Sequence, residues 1–220
     1  MKIPAAVIFD LDGTLIDNNA YHIEAWKAFY AKHGFVFSHE EYKNTINGKI
    51  NRDIFPLIFG RQVSATDIDA YTEEKEALYR ELYAPHIAPV PGLIDFLEEL
   101  SAAGIPLAIA TSGIPVNINF MFEHVAIQKY FDAVIDSNNV VNGKPHPEIF
   151  LKAAAKLNAD PLFCTAFEDS VSGVRSAKAA MMKVIALTTT HTKEDLHEAD
   201  KIITDYTTIN FNRLQQLMRS

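Results

Sequence analysis

The chain has 220 residues, 48% hydrophobic and 22% charged, with a formal net charge of −8, enough to bury the core of one domain or of one domain with an insertion. The acidic balance argues against a nucleic-acid partner and leaves any anionic ligand to local cations or metal. The lone cysteine, Cys164, excludes an internal disulfide framework, and no apolar run reaches the length of a membrane span.

Taken in chain order, Ala5-Ala6-Val7-Ile8-Phe9 is an apolar run closed by Asp10. Such a run reads as a buried central strand of a parallel sheet. Residues 1–4 lead straight into it and leave no room for a signal peptide, so a cytoplasmic protein is expected. Ligands bind beyond the carboxyl ends of such strands, which puts Asp10 where chemistry is expected. Asp12 follows, and Gly13 permits a sharp turn. Two carboxylates this close repel each other unless a cation intervenes, and a hard divalent ion with oxygen ligands would hold both.

From Asn18 to Pro85 the periodicity is helical. Ala20, Ile23, Trp26 and Tyr30 mark a helix ending near Gly34, and Ser38 with Glu41 forms a capping-box pattern for a second piece. Residues 47–52 read as a polar loop, helix resumes at Asp53, and a long helix spans 66–83. Prolines 85, 89 and 91 then punctuate a linker. Beyond it the expected order is helix 93–103, strand 106–110, helix 115–128, strand 133–136 and helix 147–157. Strand 164–167, helix 172–182, strands 184–187 and 201–203 and helix 211–218 complete the chain. Strands alternating with helices make a parallel sheet. The fold class is therefore α/β: a Rossmann-like core of residues 1–17 and 86–220, with an all-helical cap, 18–85, inserted after the first strand. The crossings at 14–18 and 85–92 are the natural hinges.

The later strands also end in chemically useful residues. Thr111-Ser112-Gly113 precedes a helix opened by Pro115, and a hydroxyl with free amides at a helix start can cradle phosphate. Lys144 sits in a turn stiffened by Pro145 and Pro147, just ahead of a helix. Glu168-Asp169 supplies a second acidic pair at a strand end. Converging acids with one lysine are hard to explain as structure alone.

In this order the motifs Phe9-Asp10-Leu11-Asp12-Gly13-Thr14, Thr111, Lys144 and Glu168-Asp169 resemble those of the haloacid dehalogenase (HAD) superfamily, over essentially the whole chain. The closest likeness is to its β-phosphoglucomutase-like subgroup with a helical cap. The resemblance implies that Asp10 is the nucleophile that takes up the phosphoryl group. Asp12 would be the general acid/base, its carbonyl helping to hold Mg²⁺, and Asp169 with Glu168 would complete the metal site. Thr111 and the Ser112 amide would bind phosphoryl oxygens, and Lys144 would steady nucleophile and phosphate. In the cap, Lys75 falls within a stripe of Ile68, Tyr71, Leu78 and Leu82 and matches a substrate-facing lysine. His22 matches a histidine that couples closure to acid/base work, and Gly48 and Arg52 match the specificity loop.

The implied function is a Mg²⁺-dependent phosphatase of a small phosphorylated metabolite, with no nucleic-acid, membrane or obligate protein partner. The alternative is a phosphomutase. A mutase needs a second anion site, which the subgroup's mutase builds from a cap arginine and a Ser-Lys-Asn run. This chain keeps Arg52 but reads Gly113-Ile114-Pro115 in place of the run, where neither Ile114 nor Pro115 offers a side-chain donor, and Lys49 could restore one charge. A receiver-like phospho-acceptor would lack both the second aspartate and the helical insertion. Dehalogenases of the superfamily lack the carboxylate that Asp12 represents.

Overall fold

The computed structural model describes residues 5–218; the reading of residues 1–4 lies outside them. Strands β1 (Ala6–Phe9), β2 (Leu107–Ala110), β3 (Ala133–Ile135), β4 (Cys164–Glu168), β5 (Lys183–Leu187) and β6 (Lys201–Ile203) form one parallel sheet in the order 3-2-1-4-5-6. Chain order reverses on either side of β1, so the crevice at its carboxyl end is the topological switch point. The helices are α1 (Asn19–Lys32), α2 (His39–Glu41), α3 (Asn51–Phe59), α4 (Ala65–Tyr83), α5 (Leu93–Ala102), α6 (Pro115–His124), α7 (Glu148–Lys156), α8 (Val171–Ala179) and α9 (Phe211–Leu217).

Alternation along β1 sends Val7 and Phe9 to one face of the sheet and Ala6 and Ile8 to the other. Phe9 stacks on Phe167 at 4.9 Å between centroids and meets Phe96 of α5 edge-on at 6.4 Å. On the opposite face Ile8 and Ala166 lie under Ala153 of α7 and Ala177 of α8, small residues that let the helices sit close. Trp26, Phe29, Phe55 and Ile58 build a third cluster within the helical segment, away from the sheet. The two crossings pair with each other: Ile16 bridges Pro89, and Val90 N–H donates to Leu15 O at 2.9 Å. No helix among the described residues is long and apolar enough to cross a membrane.

The strands fall within a residue or so of the sequence expectation, and the departures are local. α6 stops at His124 because Val125 turns extended (φ −121°, ψ 110°), and the chain resumes as a 3₁₀ turn, Gln128–Tyr130. Asn51 and Arg52 belong to the first turn of α3 rather than to a loop, since the extended residue is Ile50. Along α4 the buried face is Lys75, Glu76, Tyr79 and Tyr83, while Leu82 of the expected stripe is exposed.

Gly92, where the chain re-enters the core, has φ +78°, and a Cβ there would lie 2.6 Å from the Thr207 amide nitrogen and 2.7 Å from the Tyr206 carbonyl carbon. Both neighbours are backbone and cannot swing aside. Left-handed strain alone costs a non-glycine residue about 1–2 kcal/mol. Gly92→Ala should therefore lower the urea-unfolding free energy by about 2 kcal/mol or more; an unchanged midpoint would show that the loop carrying Tyr206 can retreat.

Candidate active site

The β1 register sets Phe9 between Ile109 and Phe167, so Asp10 leaves the sheet beside the ends of β2 and β4, and its amide donates to Phe167 O at 2.9 Å. Lys144 reaches in from the loop before α7. Its Nζ donates to Asp10 Oδ1 and to Glu168 Oε1, each at 2.6 Å, and the residue is 3% exposed. Burial pulls its pKa down, but the two carboxylates prevail and hold it above the usual lysine range. Glu168 Oε2 accepts from the Asp169 and Ser170 amides, each at 2.9 Å, and from the Ser170 hydroxyl at 3.0 Å. Both oxygens of Glu168 are thus engaged.

One oxygen each of Asp10, Glu168 and Asp169 lie within 4.8 Å of one another. Burial pushes Asp10 up to about 8; Lys144 opposes this, and Glu168 and Asp12 add to it. Burial, then Glu168 and Asp10, push Asp169 well above the carboxylate range. These carboxylates share one ammonium and remain under-neutralised, so a divalent cation fits the donor set. Gly13 (φ +75°) makes room as well, since a Cβ there would overlap the Asp169 carboxylate.

Asp12 stands on the opposite side of the cavity mouth. Asn18 Nδ2 donates to its Oδ1 at 2.5 Å, and His22 Nε2 lies 3.4 Å from the same oxygen. Burial raises the Asp12 pKa, but His22, Asn18 and Lys75 outweigh it and keep the carboxyl below its ordinary value. The His22 ring stacks on Tyr79 at 3.8 Å and 6°. Lys75 Nζ is 2.7 Å from His22 Nδ1 and 3.1 Å from Glu76 Oε1, with Trp26 under it at 5.0 Å. In the tautomer whose Nδ1 accepts from Lys75, the ring proton is on Nε2 and faces Asp12.

The loop at residues 47–48 is one of the places where the helical segment meets this floor. Ser112 Oγ donates to Gly48 O at 2.8 Å and Ser172 Oγ to Asn47 O at 3.2 Å. Gly48 has φ +76°, and a Cβ would collide with the Ser170 and Ser172 hydroxyls. What remains is a cavity of about 80 Å³ lined by both parts of the chain.

The sequence pattern of haloacid dehalogenase-like hydrolases matches residues 7–187. The chain belongs to this family. A phosphorylated carbohydrates phosphatase of Thermotoga maritima is 32% identical over 179 residues, 80% of this chain and 81% of that protein. A fructose-1-phosphate phosphatase of Escherichia coli is 28% identical over 181 residues, 82% of this chain and 95% of its own. A solved β-phosphoglucomutase from Clostridium difficile superposes with a TM-score of 0.86 at 26% identity, covering 99% of this chain and 98% of that one. The β-phosphoglucomutase-like HAD subgroup with its helical cap is the branch these likenesses support. The chain is accordingly an enzyme of the phosphoric monoester hydrolase kind, with phosphomutase chemistry also consistent.

Within this HAD framework Asp10, Asp12, His22, Gly48, Lys75, Thr111, Ser112, Lys144 and Asp169 line one cavity. Thr111 Oγ1 accepts from the Gly113 amide at 2.9 Å. Glu168 does not line the cavity wall, since its oxygens hold Lys144 and the turn into α8, but it keeps its place in the buried acidic group with Asp10 and Asp169. Arg52 points away from the cavity, its guanidinium donating to Ser137 O at 3.0 Å, Val140 O at 2.6 Å and Val141 O at 3.0 Å. Sequence reasoning missed Asn18, Asn51, Glu76, Tyr79 and Asn117. None of these stands out in the sequence: Asn117 shares the run Val116 to Met121 with a second asparagine, Asn119.

Since Asp10 holds a proton up to about pH 8 in the folded, metal-free protein, the native state binds more protons than the unfolded chain between about pH 4 and 8. Metal-free stability should therefore fall as pH rises through that window. A loss of about 2 kcal/mol would lower Tm by about 4–8 °C. Asp10→Asn or added Mg²⁺ should flatten the slope, and a metal-free Tm constant from pH 5 to 8 would contradict the charge crowding.

Proposed function

We propose that the protein is a Mg²⁺-dependent phosphatase of a small phosphorylated metabolite, a sugar phosphate, and that it works through an aspartyl-phosphate on Asp10. The observation that carries this reading is Lys144 fixing Asp10 in the cavity floor at 2.6 Å, with Asp12, Thr111 and Asp169 on the same walls. Phosphoryl transfer asks for positioning and charge neutralisation more than for covalent chemistry. Mg²⁺, held by Asp10, Asp169 and the Asp12 carbonyl with Glu168 behind them, would supply the neutralisation that lets a carboxylate approach a phosphate.

Asp10 attacks phosphorus as the bond to the leaving oxygen breaks, and that oxygen takes a proton from Asp12, which is ionised before substrate binds and gains the proton when the phosphate dianion binds beside it. Water then attacks the phosphorus of the aspartyl-phosphate and gives its proton to Asp12, releasing inorganic phosphate and restoring Asp10. Thr111 and the Ser112 amide hold phosphoryl oxygens, Lys144 steadies the charge on Asp10, and Lys75 sets the ring proton of His22 toward Asp12. The carbohydrate-phosphate substrates named for the relatives support the substrate class. The buried free thiol of Cys164 suits a cytoplasmic setting.

Hydrolysis is favoured over mutase chemistry because the second anion site is depleted. Arg52 is spent on carbonyls, and neither Ile114 nor Pro115 carries a side-chain donor. Each charged hydrogen bond lost to a phosphate is worth roughly 1.5–3 kcal/mol.

The test is phosphate release over a panel of sugar phosphates. Release should require Mg²⁺, stop in EDTA, and fall by at least about a thousandfold in Asp10→Asn with the fold intact. Substantial turnover in EDTA or in that variant contradicts the reading. Rapid bisphosphate-primed interconversion of β-glucose 1-phosphate and glucose 6-phosphate, with little free phosphate, would establish the mutase instead.

A further inference from the structure

Resting on that hydrolase reading, we infer that Glu76 reads the end of the substrate remote from the scissile phosphoryl group, accepting hydrogen bonds from its hydroxyls and turning away a second anionic group. The substrate class is then the monophosphate of a small, otherwise uncharged polyhydroxylated carbon skeleton.

Glu76 lies on α4, is 5% exposed, and lines the same cavity as Asp10. Its Oε1 accepts from Lys75 Nζ at 3.1 Å and Asn51 Nδ2 at 3.0 Å, and its Oε2 from Asn117 Nδ2 at 2.8 Å. Burial raises its pKa, but Lys75, His22, Asn51 and Asn117 together hold it below the ordinary glutamate value, so it stands in the wall as a carboxylate. Residues from two cap helices and from α6 of the core are thus committed to fixing one negative group beside the ligand space.

The charges around it settle what that space accepts. The Lys75 ammonium is matched by Glu76, so the pair is neutral. Arg80 donates to Asn117 Oδ1 at 2.9 Å and pairs with Glu73 at 2.9 Å. Arg52 is turned outward onto carbonyls. Lys49 lines this cavity and two outer grooves alike, and so stands at its rim. A second phosphate here would meet a buried carboxylate, and the interior ammonium groups, Lys75 and Lys144, are already paired with carboxylates.

An independent observation concerns hydrogen-bond polarity. Asn47 lines the same cavity, and its Oδ1 is a buried acceptor with no partner among the described residues. An orphan acceptor is costly until a donor arrives. A hydroxyl donates; a phosphate dianion or a carboxylate has no proton to give. Trp26 and Ile54 add apolar surface for the carbon skeleton.

The experiment compares kcat/KM for glucitol 6-phosphate and 6-phosphogluconate, open chains of equal length that differ in far-end charge, with phenyl phosphate as a reference. Wild-type protein should prefer glucitol 6-phosphate by about tenfold or more, mostly through KM. Glu76→Gln, which removes the charge and adds a donor, should shrink that preference to within about threefold. Equal use of the two compounds, a preference for phosphogluconate, or an unchanged preference in the folded variant overturns the inference. So does turnover of phenyl phosphate with neither sugar compound used. If none of the three is hydrolysed, it is the phosphatase reading that fails. Where Glu76→Gln does not fold, the wild-type ratio alone decides.

Discussion

The site depends on one buried interaction, the Lys144 ammonium held between Asp10 and Glu168. Taking such ions out of water costs several kcal/mol each, and their attraction offsets this only when geometry is fixed and the remaining lone pairs are satisfied. Here the sheet supplies the geometry: the pairing of Phe9 with Phe167 brings Asp10 and Glu168 out side by side. Two amides and a hydroxyl at the start of α8 occupy the other oxygen of Glu168. Asp10 is thereby positioned by a lysine from the crossover between β3 and β4, which the glutamate at the end of β4 holds in turn, and a register slip in β1 or β4 would dismantle all three.

A second charged network runs from the helical segment to the floor and gives closure a chemical consequence. Glu76 neutralises Lys75, Lys75 sets the His22 ring, and His22 faces Asp12. Asn18 anchors the near end, donating to Asp12 and, at 2.6 Å, to the Tyr79 hydroxyl, while its own Oδ1 accepts from the Gly13 amide at 3.1 Å. Asp12, the proposed acid/base, is therefore set by side chains of the helical segment. The Arg52 contacts with the loop after β3 act at the outer edge of the same junction.

The sheet was legible because its strands are short apolar runs that end in functional residues, a pattern that only a buried parallel sheet satisfies. That Asp10, Asp12, Thr111, Lys144 and Asp169 share one cavity was legible because four of them follow the ends of β1, β2 and β4 and Lys144 precedes α7, positions beside the carboxyl edge of the sheet. Glu168 was placed at the right strand end, but its bonding was not readable, because that depends on which oxygen the α8 turn captures. Arg52 illustrates the opposite limit: a loop position in the sequence became the first turn of α3, and the rotation carried its side chain away from the cavity. Glu76 and Asn117 were hidden because their meeting joins α4 to α6, a tertiary contact that neither local pattern encodes. The expected stripe on α4 erred by including Leu82, as apolar identity alone does not say which face the core takes.

The central claim is that the carboxylate pinned by Lys144 takes up the phosphoryl group. The most direct measurement is acid quenching during turnover of a ³²P-labelled sugar phosphate, followed by peptide mapping of the trapped protein. The account predicts label on the peptide carrying Asp10, with the hydroxylamine lability of an acyl phosphate, and none in Asp10→Asn. Steady turnover with no labelled protein at any quench time, or label mapped to another residue, would contradict it.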